Sequence, residues 1–135
     1  MPTYLADTSA WHRSAAIFDR WAELVAHAEI AMSPPVELEL LYSARSARDA
    51  GMLRVELGSL PQLPLDERAG AVALSIQAQL TEKAQHRGPR PMDLLIAAVA
   101  GMNDVVLLHY DRHFDAIRRV TGQPMEWLSR RGSLD

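Results

Sequence analysis

Four carboxylates stand in places where carboxylates are uncommon. Asp7 ends the β-compatible segment Thr3 to Ala6. Asp111 follows closely on Val105, Val106, Leu107 and Leu108. Asp93 opens the almost wholly apolar stretch Met92 to Ala100, and Glu39 is flanked by Leu38, Leu40 and Leu41. An ionised carboxylate beside buried surface is costly unless it is paired. Several gathered at one place raise one another's pKa values unless a cation joins them. Oxygen ligands without cysteine or a histidine pair select hard divalent ions, Mg²⁺ or Mn²⁺, over zinc or copper, and such ions commonly serve phosphate chemistry. Each acid taken alone also has an ordinary structural explanation: Asp7 and Asp111 as helix caps, Asp93 as a partner of a helix dipole, Glu39 on a solvated face.

Other chemistries find less support. There is no G-x-x-x-x-G-K-[ST] or G-x-G-x-x-G loop for phosphates. A phosphatase built on D-x-D after the first strand is contradicted by Thr8-Ser9, and a phospho-acceptor signalling domain by the want of a lysine after a late strand, since Lys83, the one lysine, lies within a helical pattern. His12, His27, His86, His109 and His113 show no H-E-x-x-H or H-x-H spacing. Ser9 lacks the G-x-S-x-G elbow of a nucleophile. With no cysteine in the chain, disulfides, zinc ribbons and thiol nucleophiles are excluded together.

The elements that position the acids follow from hydrophobic period and breakers. Thr3 to Ala6, Glu29 to Met32, Leu60 to Leu65, Asp104 to His109 and Met125 to Leu128 are read as strands, the third an edge strand because of Pro61 and Pro64. Helices are expected from Ser9 onward, with Ile17, Trp21, Leu24 and Val25 as an amphipathic stripe, and from Pro34 to about Arg45, with Ser33 as the capping hydroxyl. Further helices are expected over Ala47 to Leu57, from Asp66 towards His86, over Met92 to Ala100 and over Arg112 to Val120. Strands alternating with helices predict an α/β domain of three α/β/α layers, its central sheet mostly parallel. Ligands of such sheets bind at the carboxyl ends of the strands, so Asp7 and Asp111 are expected to face one crevice.

At 135 residues, with 48% hydrophobic and 23% charged side chains, the chain is read as a single domain, residues 1–135, with a real core. The longest apolar run, Leu94 to Met102, is too short to span a bilayer, and the first residues do not resemble a signal peptide. A cytoplasmic protein with no membrane partner is expected. The net charge of −3 is unevenly spread, −5 over residues 1–82 and +2 over residues 83–135. Setting the four acids aside leaves +1, which no longer argues against a nucleic-acid partner.

The segments LADTSA, LELLYSAR, PMDLLIAAVA after a Pro/Arg-rich loop, and VVLLHYDRHFDAI, in that order, resemble the PIN-domain ribonucleases, in particular the VapC toxins of bacterial toxin–antitoxin pairs. The closing GQPMEWLSRRGS resembles the last strand and tail of mycobacterial-type members. The resemblance implies a PIN domain that hydrolyses RNA phosphodiesters with Mg²⁺ or Mn²⁺, a VapB-type antitoxin that neutralises it, and a homodimer. Carried over by residue, it implies Asp7, Glu39 (rather than Glu37), Asp93 and Asp111 as catalytic metal ligands, with Ser9 supporting Asp7. The sequence departs from the pattern at His113, where many members have an acid; Asp115, four residues after Asp111, is expected to replace it in part. Arg87, Arg90 and Arg112 are candidate contacts to RNA phosphates. The alternatives are a catalytically weak PIN-like module that binds RNA or protein, and a phosphatase acting on small phosphomonoesters.

Overall fold

A computed structural model describes residues 1–135. Its sheet has four strands, β1 (Tyr4–Ala6), β2 (Ile30–Ala31), β3 (Val106–His109) and β4 (Met125–Trp127). All pairings are parallel, in the order β2-β1-β3-β4. Leu5 stands opposite Ala31 on one side and Leu107 on the other, so β1 and β3 form the centre.

Because side chains alternate along a strand, the two faces of the sheet build separate cores. Leu5, Ala31, Leu107 and Met125 face a large cluster with Val36, Leu57, Ile76, Leu80, Ile96 and Phe114. Those residues come from α3 (Pro34–Tyr42), α4 (Ala47–Gly58), α5 (Glu67–Glu82), α6 (Pro91–Met102) and α7 (His113–Thr121). Tyr4, Ala6, Ile30 and Leu108 face a smaller cluster with Ala10 and Trp21. These lie on α1 (Thr8–Arg13) and on α2 (Phe18–Ala26), which a 3₁₀ turn, Ser14–Ile17, joins to α1. The three layers and parallel sheet agree with the sequence reading.

Two local expectations fail. Leu60 to Leu65 forms no strand: Pro61 and Pro64 remove ladder donors, and only a parallel bridge between Met32 and Gln62 remains. Ser33 does stand at the start of α3, but its hydroxyl caps nothing and is buried without a hydrogen-bond partner. Elsewhere the ends move by a few residues, most at α5, which stops at Glu82, and at α3, which stops at Tyr42. α7 ends at Gly122, whose φ of 68° suits a residue without Cβ.

The chain runs from β1 to β2 on one side and then crosses to β3 on the other. The strand order thus reverses between β1 and β3, and the carboxyl ends of those two strands frame a crevice.

Candidate metal and phosphodiester site

Asp7 is the residue at which β1 becomes α1. Its main-chain amide donates to Leu108 O on β3 at 3.0 Å, and it then serves as the N-cap of α1. The side chain is 2% exposed. Its Oδ1 accepts from the Ser9 hydroxyl at 2.6 Å and from the Ala10 amide at 3.4 Å. Burial pushes the carboxyl up to about 7; those donors oppose the shift and the charge of Asp93 adds to it. Ser9 does a second job, accepting the Tyr110 amide at 2.8 Å and so tying the first turn of α1 to the loop after β3.

Asp93, also 2% exposed, is the third residue of α6. Its Oδ2 accepts the Arg90 amide at 2.9 Å, and no donor reaches Oδ1. Burial raises its pKa; the Arg90 amide and charge lower it, and the charges of Asp111 and Glu39 raise it further. Glu39 reaches in from α3, between the Thr8 hydroxyl at 3.4 Å and the Arg90 guanidinium at 3.3 Å. Asp111 lies beyond β3, and its Oδ1 accepts the His113 amide at 2.9 Å.

Asp7, Glu39 and Asp111 line one cleft of about 620 Å³, with Ser9 and Arg90 in its wall. Asp93 does not line the cleft but lies within reach of its charges: it acts on Asp7 and is acted on by Asp111 and Glu39. The four predicted acids thus meet electrostatically, whereas Glu37 does not line the cleft. As placed, no three of the chain's acidic and histidine side chains close around a single point fit for an ion. The donor set nonetheless suits a hard divalent cation: it is all oxygen, its two buried acids each keep an oxygen lightly engaged, and both are shifted towards the neutral form as uncompensated acids are.

Asp115 does not join the acids. It points into a second cleft and pairs with Arg131 at 3.4 Å. The expected i, i+4 relation to Asp111 fails because α7 begins only at His113, which leaves Asp111 outside the helix. Of the candidate arginines, Arg90 lines the acid cleft, Arg112 the second cleft, and the exposed Arg87 neither.

Several contributors were not anticipated. His12 and Arg13 line the acid cleft, and Arg13 lies 4.8 Å from the Tyr110 ring centroid. They follow Ser9 by three and four residues along α1, a helical spacing that puts them on its face and is the sequence signal that could have found them. Leu38 and Tyr42, both exposed, form the apolar rim. His109, 1% exposed, packs between Phe114 and Trp127 and accepts the Asp111 amide on Nδ1 at 3.2 Å. Burial lowers its pKa to about 4, so at neutral pH it is an uncharged acceptor.

Comparison with known proteins gives a consistent result. The PIN domain profile matches residues 4–120. Ribonuclease VapC18 of Mycobacterium tuberculosis is 37% identical over 135 residues, covering 97% of this chain and 98% of that protein. Ribonuclease VapC51 of the same species is 38% identical over 134 residues, covering 98% and 97%. Among solved structures, DNA-bound VapBC from Salmonella typhimurium superposes with a TM-score of 0.76 at 24% identity, over 96% of this chain and 100% of that one. VapBC2 from Rickettsia felis, bound to a promoter DNA fragment, gives 0.73 at 20% identity over 93% and 98%. At such identities the structural matches establish the fold.

Proposed function

Because this chain belongs to the PIN-domain family, we propose that it works as its VapC relatives are named to work, as a metal-dependent ribonuclease toxin held in check by a VapB-type antitoxin. The observation that carries the reading is that Asp7, Glu39 and Asp111 line one cleft where the strand order reverses, with the buried Asp93 within reach of their charges. The whole chain, 1–135, acts as one PIN domain.

Asp7 and Asp93 are the inner ligands, and Glu39 and Asp111 complete the set. Magnesium is the proposed ion, with manganese able to replace it. When bound, such an ion activates a water and offsets charge on the phosphate oxygens. The protein's own part is to position. Ser9 and Ala10 hold one oxygen of Asp7, which lines the cleft, and no donor engages the other. The Arg90 amide likewise holds one oxygen of Asp93. Arg13 and Arg90 supply cationic contacts for the RNA backbone, His12 offers ring nitrogens for hydrogen bonds, and the exposed Tyr42 ring offers a base a stacking surface.

The antitoxin is placed at the same cleft, where Leu38 and Tyr42 give a peptide an apolar rim beside the acids. Phe18, Met52 and Val55, exposed on α2 and α4, are the surface proposed for a second copy. No helix is long and apolar enough to cross a membrane, and the proposed place of action is the cytoplasm, where the RNA is.

Expression in a host cell tests the reading. The parent chain arrests growth and D7N does not; equal arrest by both would sink it.

A further inference from the structure

The acid cleft has a neighbour of opposite charge. A second cleft, of about 460 Å³, lies between α7, the loop that follows α5 and the C-terminal tail. Arg112, His113, Arg119 and Arg131 line it against a single acid, Asp115, which Arg131 already pairs at 3.4 Å. Arg112 and Arg119 take part in no ion pair. Gly88 shapes the opposite wall: a Cβ there would stand 3.3 Å from His113 Nδ1, so the absence of a side chain lets the imidazole lie against the loop. Arg131 also lies over the Trp127 ring, 5.5 Å from its centroid.

The two clefts share one ridge. Asp111 faces the acid cleft, while Arg112 and His113, the next residues, face the second. The bond from the His113 amide to Asp111 Oδ1, 2.9 Å, ties the acidic side of that ridge to the start of α7. A polyanion bound over the acid cleft therefore meets unpaired guanidinium groups on leaving it, and arginine's planar fork suits phosphate oxygens.

We propose that this second cleft is a phosphate-binding subsite for single-stranded RNA, gripping the backbone next to the bond cleaved in the acid cleft. The proposal rests on the ribonuclease reading above. It gives His113 a place, since that side chain lies in the cleft for the backbone and not among the acids.

The test uses R112Q/R119Q made in a D7N chain, so that binding is read without cleavage. A fluorescent single-stranded RNA is titrated by anisotropy at several salt concentrations. Affinity is expected to fall by about tenfold and the slope of log affinity against log salt to become shallower by roughly 1.4, about 0.7 for each lost contact. R112K/R119K should recover much of the affinity, and R54Q, a charge change outside both clefts, should leave it alone. In the active chain the same double change should raise KM for RNA with kcat largely kept. Unaltered affinity and slope overturn the subsite, as does unaltered RNA binding with lost affinity for a polyglutamate peptide, which would assign the cleft to an acidic protein segment. Failure of the ribonuclease reading looks different: the parent chain would then cleave no RNA, whatever the arginine variants do to binding.

Discussion

The Arg90 guanidinium stands 3.3 Å from the Glu39 carboxylate, across 51 residues of chain, in a cleft whose other lining acids, Asp7 and Asp111, form no ion pair. The main chain of Arg90 meanwhile holds Asp93. One residue therefore serves two of the acids in different ways, and only the guanidinium competes with a cation.

Replacing that side chain separates the two roles. R90Q keeps the amide that orients Asp93 and frees Glu39. Because the arginine is largely exposed, the ion pair is worth little, under about 1 kcal/mol. Calorimetric titration with Mg²⁺ or Mn²⁺ should show affinity raised by up to about fivefold. Weaker binding would mean that Arg90 helps to build the ion site.

The buried carboxyl of Asp7 and imidazole of His109 give stability opposite dependences on pH. With its pKa raised from 3.8 to about 7, Asp7 keeps a proton in the folded chain that the unfolded chain has lost. Its contribution is present below the unfolded value and fades as pH rises through 7, by about 1.4 kcal/mol per unit. His109, lowered from 6.5 to about 4, stays neutral in the fold while the unfolded chain takes up a proton, so its contribution is lost as pH falls between those values. Over roughly pH 4 to 6.5 the two slopes cancel. D7N removes one of them: denaturant unfolding should show the variant more stable than the parent at pH 8 without metal, and losing stability on acidification from pH 6.5 where the parent does not. Parallel curves would contradict the raised Asp7 carboxyl, and a variant that holds its stability below pH 6.5 would contradict the lowered His109.

Ser9 links the β1–α1 junction that carries Asp7 to the loop that carries Asp111. S9A leaves the Tyr110 amide without its acceptor and Asp7 without its shortest hydrogen bond. A loss of about 1–3 kcal/mol is expected, together with faster hydrogen exchange at the Tyr110 amide. Exchange at the parent rate would show the bridge to be dispensable.

Much of this was legible in the sequence, for identifiable reasons. Strand and helix periods gave the layers, and acids next to apolar runs marked the crevice because a carboxylate is costly there without a purpose. Leu60 to Leu65 was misread because its apolar residues suited a strand while its prolines removed the donors that would keep it in the sheet. Asp115 was misread because a helical spacing was counted from a residue outside the helix. His109 carries no sequence spacing at all, and among the arginines of the second cleft only Arg112 was marked, although Arg112, Asp115 and Arg119 share one side of α7. The first acts through burial between two aromatic rings, the second through a tail and a loop that meet α7 only in the fold.

The carboxylate site itself is tested most directly by RNA cleavage in the purified protein. Single-turnover cleavage of cellular RNA should require Mg²⁺ or Mn²⁺ and stop with a chelator. D7N and D93N should each cut the rate by about 100-fold or more while circular dichroism stays that of the parent. Cleavage by folded D93N at the parent rate, or cleavage indifferent to the chelator, would contradict a nuclease centred on these acids.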